Sequence, residues 1–132
     1  MIDKMPHLIK IHGGNMFGNW LSAAMALHRL EGLEERLKEA VQRSSTIFTS
    51  HNEIKGMKIT AYKGGTNIYT MQLPPGINVQ KLGEHLNSNY SIQFPRFNPN
   101  GETKITVNET LLYRDTKFII DAIRDGIKKA GG

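Results

Sequence analysis

Met57-Lys58-Ile59-Thr60-Ala61-Tyr62 and Thr66-Asn67-Ile68-Tyr69-Thr70-Met71-Gln72-Leu73, separated by Lys63-Gly64-Gly65, decide how the chain reads. Both runs are rich in β-branched and aromatic residues, and the first alternates apolar and polar. Two strands with a Gly-Gly turn between them predict a hairpin. Pro74-Pro75-Gly76 closes the second strand, because proline has no N–H to give to a ladder.

Downstream, Asn78 is an N-cap candidate for a helix with Val79, Leu82 and Leu86 on one face, ending near Asn87. Tyr90 to Phe94 alternates as a short strand stopped by Pro95. Residues 95–102 are turn-rich loop, and Thr103 to Val107 alternates again, with Lys104 and Thr106 on one side and Ile105 and Val107 on the other. Asp115 caps a last helix whose apolar stripe is Phe118, Ile119, Ala122, Ile123 and Ile127, with Lys128-Lys129 near its C-terminus and Gly131 after it.

Upstream, His12-Gly13-Gly14 ends a leader, and Asn15 is a plausible N-cap. Phe17, Trp20, Ala24, Leu27 and Leu30 recur at helical spacing, and Leu21, Ala23, Met25 and Ala26 make much of the circumference apolar. Gly32 interrupts. A second helix, from Leu33 to about Phe48, has the stripe Leu33, Leu37, Ala40, Val41, Ser44 and Phe48. Glu34–Lys38 and Glu39–Arg43 are i,i+4 pairs in the favourable order. The predicted order is α-α-β-β-α-β-β-α: an α+β fold with a small, mainly antiparallel sheet and helices on one side. Residues 1–32 form an N-terminal segment with an apolar interface helix, and residues 33–132 form the small α+β domain. The opening helix is surplus to that domain's own core, so it is expected to face a partner.

The 132 residues support one ordinary domain. With no Cys, disulfides, thiolate nucleophiles and Cys-based metal centres are excluded. No apolar run approaches the ~20 residues of a membrane span, and the N-terminus lacks a signal-peptide core, so a reduced, cytoplasmic protein is expected. The formal charge of +5 is spread along the chain, its longest basic run being Lys128-Lys129. Phosphate-backbone binding needs cations gathered on one face, so nucleic acid is not the partner expected from the sequence. His7, His12, His28, His51 and His85 show no metal-ligand spacing. Gly13-Gly14 ahead of a helix lacks the Lys-Ser/Thr of a P-loop. Lys63 and Lys104 lie near or in strands, without the burial a Schiff-base lysine requires.

A series of segments, in order, resembles the C-terminal region of threonine aldolases and related β-eliminating lyases, pyridoxal-phosphate enzymes of the aminotransferase superfamily. The segments are Lys10-Ile11-His12-Gly13-Gly14-Asn15-Met16-Phe17, the Ala-rich helix Leu21 to Leu30, Leu33-Glu34-Glu35-Arg36-Leu37, Gly65-Thr66-Asn67-Ile68-Tyr69, and Thr103-Lys104-Ile105-Thr106-Val107-Asn108-Glu109-Thr110. The resemblance implies an aminotransferase small domain and its linking helix, with a role in amino-acid metabolism. It places Lys104 near the family's carboxylate-binding arginine, as a point charge without the bidentate fork. It places His12, Gly13, Gly14 and Trp20 at the subunit interface or active-site rim. The family's Schiff-base lysine and most cofactor contacts lie in a large domain that these residues do not include, so no catalytic or cofactor-binding residue is assigned here. Pyridoxal phosphate is implied for the parent family and not for this chain alone.

Three functions follow as expectations. The first is the C-terminal domain of a threonine-aldolase-like lyase, inactive alone, whose partner is a large cofactor domain on a separate chain. The second is a non-enzymatic module that self-associates through residues 16–30. The third is a basic α+β nucleic-acid binder using Tyr62, Tyr69 and Tyr90 near its strands.

Overall fold

A computed structural model describes residues 4–7 and 19–131. The chain divides into two compact units, Met1–Leu33 and Glu34–Gly132. In the first, residues 4–7 make a short helical turn. Helix α1 (Trp20–Leu30) follows, and none of its residues is buried. Asn15, the cap candidate for this helix, lies outside the described residues. Gly32, at φ 63°, takes the left-handed turn after α1 that a side chain would strain.

The second unit is an α+β fold. Helix α2 (Leu33–Asn52) leads into strands β1 (Lys58–Ala61) and β2 (Ile68–Gln72). Helix α3 (Val79–Tyr90), strand β3 (Glu102–Thr106), a 3-10 turn (Glu109–Tyr113) and helix α4 (Thr116–Ala130) complete it. The three strands form an antiparallel sheet in the order β1-β2-β3. The hairpin is as expected, with Ile59 opposite Met71. Thr70 lies opposite Lys104 on the other side of β2.

Alternation makes the sheet two-faced. Ile59 and Met71 are buried with Leu82 and Leu86 of α3 and Ala122 and Ile123 of α4. Tyr69 and Ile105 share that face, and Tyr69 meets Phe48 of α2 with ring centres 4.7 Å apart. The helices therefore cover one side. Thr60, Thr70, Lys104 and Thr106 lie on the other, which no helix of this unit covers.

Local chemistry explains the boundaries. Asn78 caps α3, its Oδ1 accepting from the Lys81 N–H at 3.0 Å. Asn108 caps the 3-10 turn through the Thr110 N–H. Asp115 stands at the N-cap of α4, but its side chain makes no capping bond. The free edge of β1 is occupied by a side chain. The Ile59 N–H donates to Asn52 Oδ1 at 2.7 Å, and Asn52 Nδ2 donates to the Ile59 carbonyl at 3.1 Å.

Two readings need correction. Tyr90 to Phe94 is not a strand. Tyr90 ends α3, Ser91 turns left-handed at φ 53°, and the Ile92 N–H closes on the Leu86 carbonyl at 3.1 Å. Ile92 and Phe94 still pack on the core, so the alternation reports burial without pairing. The inward stripe of α2 is also shifted. Its buried residues are Ala40, Ser44, Ile47 and His51, whereas Leu37 and Val41 are 42% and 53% exposed. The helix runs on to Asn52 because nothing between Phe48 and His51 breaks it.

Candidate functional site

The uncovered sheet face carries a groove of about 370 Å³. Its walls are Tyr62, Thr70, Arg96, Asn98, Glu102, Thr103 and Lys104. Lys104 comes from the middle of β3, and its Nζ lies 4.0 Å from the centre of the Tyr62 ring. An ammonium over an aromatic face is attracted by the negative face of the ring. Thr70 is its direct cross-strand neighbour.

The loop before β3 supplies Arg96 and is pinned at both ends. Phe94 and Phe97 stack with ring centres 5.4 Å apart, and both pack on the core. Thr103 Oγ1 donates to the Arg96 carbonyl at 2.7 Å. Asn98 Oδ1 accepts from the N–H groups of Asn100 and Glu102, and the Asn98 N–H donates to the Glu102 carbonyl. Arg96 is thus presented by a braced loop.

A second concavity, about 290 Å³, lies where α2 meets the start of β2 and the end of β3. Leu37, Ala40, Val41, Thr66, Asn67, Val107 and Asn108 line it. Asn67 and Val107 are joined twice. The Val107 N–H donates to the Asn67 carbonyl at 2.9 Å, and Asn67 Nδ2 donates to the Val107 carbonyl at 3.0 Å.

A polar cluster ties α3 to α4. His85 Nε2 lies 2.7 Å and Tyr90 Oη 3.0 Å from the same Asp125 oxygen. With Nε2 protonated, His85 donates to Asp125, and its Nδ1 accepts from Asn89 Nδ2 at 3.2 Å. Hydrogen bonds from His85 and then Tyr90 hold the Asp125 carboxyl below its ordinary range. The same carboxylate pushes the Tyr90 phenol up. Through these bonds the cluster clamps α3 to α4.

His51 is the buried exception. It is 2% exposed, and among the described residues neither ring nitrogen has a hydrogen-bond partner. Burial lowers its pKa to about 4, and the Arg124 guanidinium adds to that. The Ile120 backbone opposes the shift without reaching hydrogen-bond geometry.

Among the residues singled out in the sequence, Lys104 lies in the groove, exposed. Trp20 begins α1 and is 75% exposed. His12, Gly13 and Gly14 lie outside the described residues. The three tyrosines do not share a platform. Tyr62 is on the open face, Tyr69 is against Phe48, and Tyr90 is bonded to Asp125. Among the described residues no cluster of His, Asp or Glu could hold a metal ion, and no helix is long and apolar enough to cross a membrane. Sequence reading missed Arg96 and Asp125, because the loop and helix that carry them meet their partners only in the folded chain.

No family model, curated protein or solved structure matches the chain.

Proposed function

We propose that the second unit is the small domain of a threonine-aldolase-like pyridoxal-phosphate lyase, with Lys104 facing the substrate's carboxylate. One observation carries this reading. Two of the stretches that carry the resemblance, Gly65–Tyr69 and Thr103–Thr110, are neighbours in the sheet and are bonded to each other through Asn67 and Val107. That pairing sets Lys104 on the bare side of the sheet, where a second body can reach it.

The described residues do not fit the cofactor by themselves. Every described lysine is exposed, and none has the buried setting that would lower an amine's pKa for Schiff-base chemistry. The cofactor lysine and its surroundings would belong to a large domain, on this polypeptide or another, and the contribution assigned to this unit is electrostatic. An ammonium beside a carboxylate orients it without the two parallel bonds an arginine would make.

The test is a fusion in which the whole chain replaces the small domain of a threonine aldolase. The fusion is expected to hold pyridoxal phosphate and cleave threonine, with kcat/KM falling about tenfold in Lys104→Ala. A cofactor-loaded fusion no faster than the bare large domain would defeat the reading.

A second reading, self-association through α1, is favoured by the exposure of Trp20, Leu21, Met25, Leu27 and Leu30. Trp20 is the only tryptophan, so its emission reports on α1 alone. A concentration-dependent blue shift together with a larger mass in light scattering is expected. An unchanged spectrum from a strictly monomeric chain would dismiss this route.

A further inference from the structure

We infer that the groove on the open sheet face is a carboxylate site in which Arg96 and Lys104 act as a two-point clasp. Several observations converge on it. Three of the six arginines and two of the lysines are answered by acids: Arg36 by Glu109, Arg43 by Glu39, Arg124 by Glu53, Lys38 by Glu34 and Lys117 by Asp121. Arg96 and Lys104 line one groove, and among the described residues neither has an ion-pair partner. Lys104 is held by the Tyr62 ring instead of by Glu102, its neighbour on the same strand.

The groove is also prepared. Arg96 stands between two phenylalanines packed on the core, and its carbonyl is bonded to Thr103 of β3. Lys104 projects from the middle of a paired strand. Less ordering is therefore needed when a ligand arrives. The two cations differ in kind. The guanidinium can give a planar pair of hydrogen bonds, and the ammonium adds a compact charge. Thr70 and Tyr62 also line the groove, and each brings a hydroxyl able to donate a hydrogen bond.

Charge selects the ligand class. Two cations and the Glu102 carboxylate leave the groove one positive charge, which suits a monocarboxylate. A dianion such as phosphate would meet Glu102 with its second charge. Because the groove is open to water, affinity should be modest, with a dissociation constant on the order of millimolar. That the carboxylate belongs to an amino-acid substrate rests on the lyase reading; the carboxylate site does not.

The experiment is amide NMR of the whole chain titrated with sodium acetate, set against sodium chloride at matched ionic strength and against inorganic phosphate. Acetate should produce saturable shifts at Tyr62, Thr70, Arg96 and Lys104 that chloride does not. Arg96→Gln and Lys104→Gln should each weaken acetate about tenfold, and phosphate should bind less tightly than acetate. Shifts no larger than those from chloride, equal acetate affinity in both variants, or tighter binding of phosphate would each overturn the assignment. The two proposals separate cleanly. Saturable acetate binding in a chain whose fusion cannot cleave threonine supports the clasp and removes the lyase. A cleaving fusion made from a chain that shows no saturable acetate binding retains the lyase and removes the clasp.

Discussion

Asn52 gives Ile59 the two main-chain hydrogen bonds that a fourth strand would otherwise provide. The amide at the end of α2 thereby blocks the β1 edge, a place where sheets are prone to pair with other chains. Asn52→Ala leaves the Ile59 N–H and carbonyl without these partners and should cost about 1–3 kcal/mol. Urea unfolding followed by circular dichroism measures it, and an unchanged midpoint would show that water replaces the amide at no cost.

His51 makes stability pH-dependent in a definite direction. The unfolded imidazole takes a proton near pH 6.5, whereas the folded one resists until about pH 4. Its neutral form is thus favoured by folding. The contribution is complete above pH 6.5, declines as pH falls and is gone below pH 4. The size is about 3 kcal/mol from the width of that window. His51→Leu should flatten this limb and, by removing two unpartnered polar atoms, should not destabilise the protein at pH 7. Denaturation midpoints measured between pH 4 and pH 7.5 decide it; identical slopes in both proteins would rule His51 out as the cause.

Asp125 links two titrations. Its carboxylate accepts from Tyr90, which disfavours the phenolate. Asp125→Asn should let one tyrosine ionise at lower pH than in the parent chain. The phenolate absorbance curve reads this out, and Tyr90→Phe should delete the step that moves. A curve unaffected by Asp125→Asn would mean that the Tyr90 bond does not persist in solution.

Gly126 sets the spacing between α3 and α4. A Cβ built there would lie 2.7 Å from Leu82 Cδ1 and 3.1 Å from Leu86 Cδ2. Gly126→Ala gains helix propensity but overpacks two fully buried leucines, for a net loss of about 1–2 kcal/mol. The thermal midpoint tests the sign; a stabilised variant would show that the leucines yield freely.

What could be read in the chain was what neighbours in sequence decide. The β1–β2 hairpin followed from alternation around Gly64-Gly65, the start of α3 from Asn78, and the outer face of α2 from Glu34–Lys38 and Glu39–Arg43. Burial on α2 was legible in part: Ala40, Ser44 and Phe48 of the expected stripe do face the core, but hydropathy also put Leu37 and Val41 there and passed over His51, which the helix turns inward. Residues 90–94 alternate because Ile92 and Phe94 reach the core, a signal shared by strands and packed loops. Of the groove, Lys104 stood out through the resemblance, whereas Arg96 reaches the same groove from a loop braced by the stacking of Phe94 on Phe97.

The missing side chain at position 126 has an evolutionary corollary. The two leucines facing it are fully enclosed, so neither side of that seam can change size independently. Homologues bearing alanine or serine at 126 should carry a trimmed residue at 82 or 86, and the three sites should covary as a unit while the solvent-facing turns of both helices drift freely.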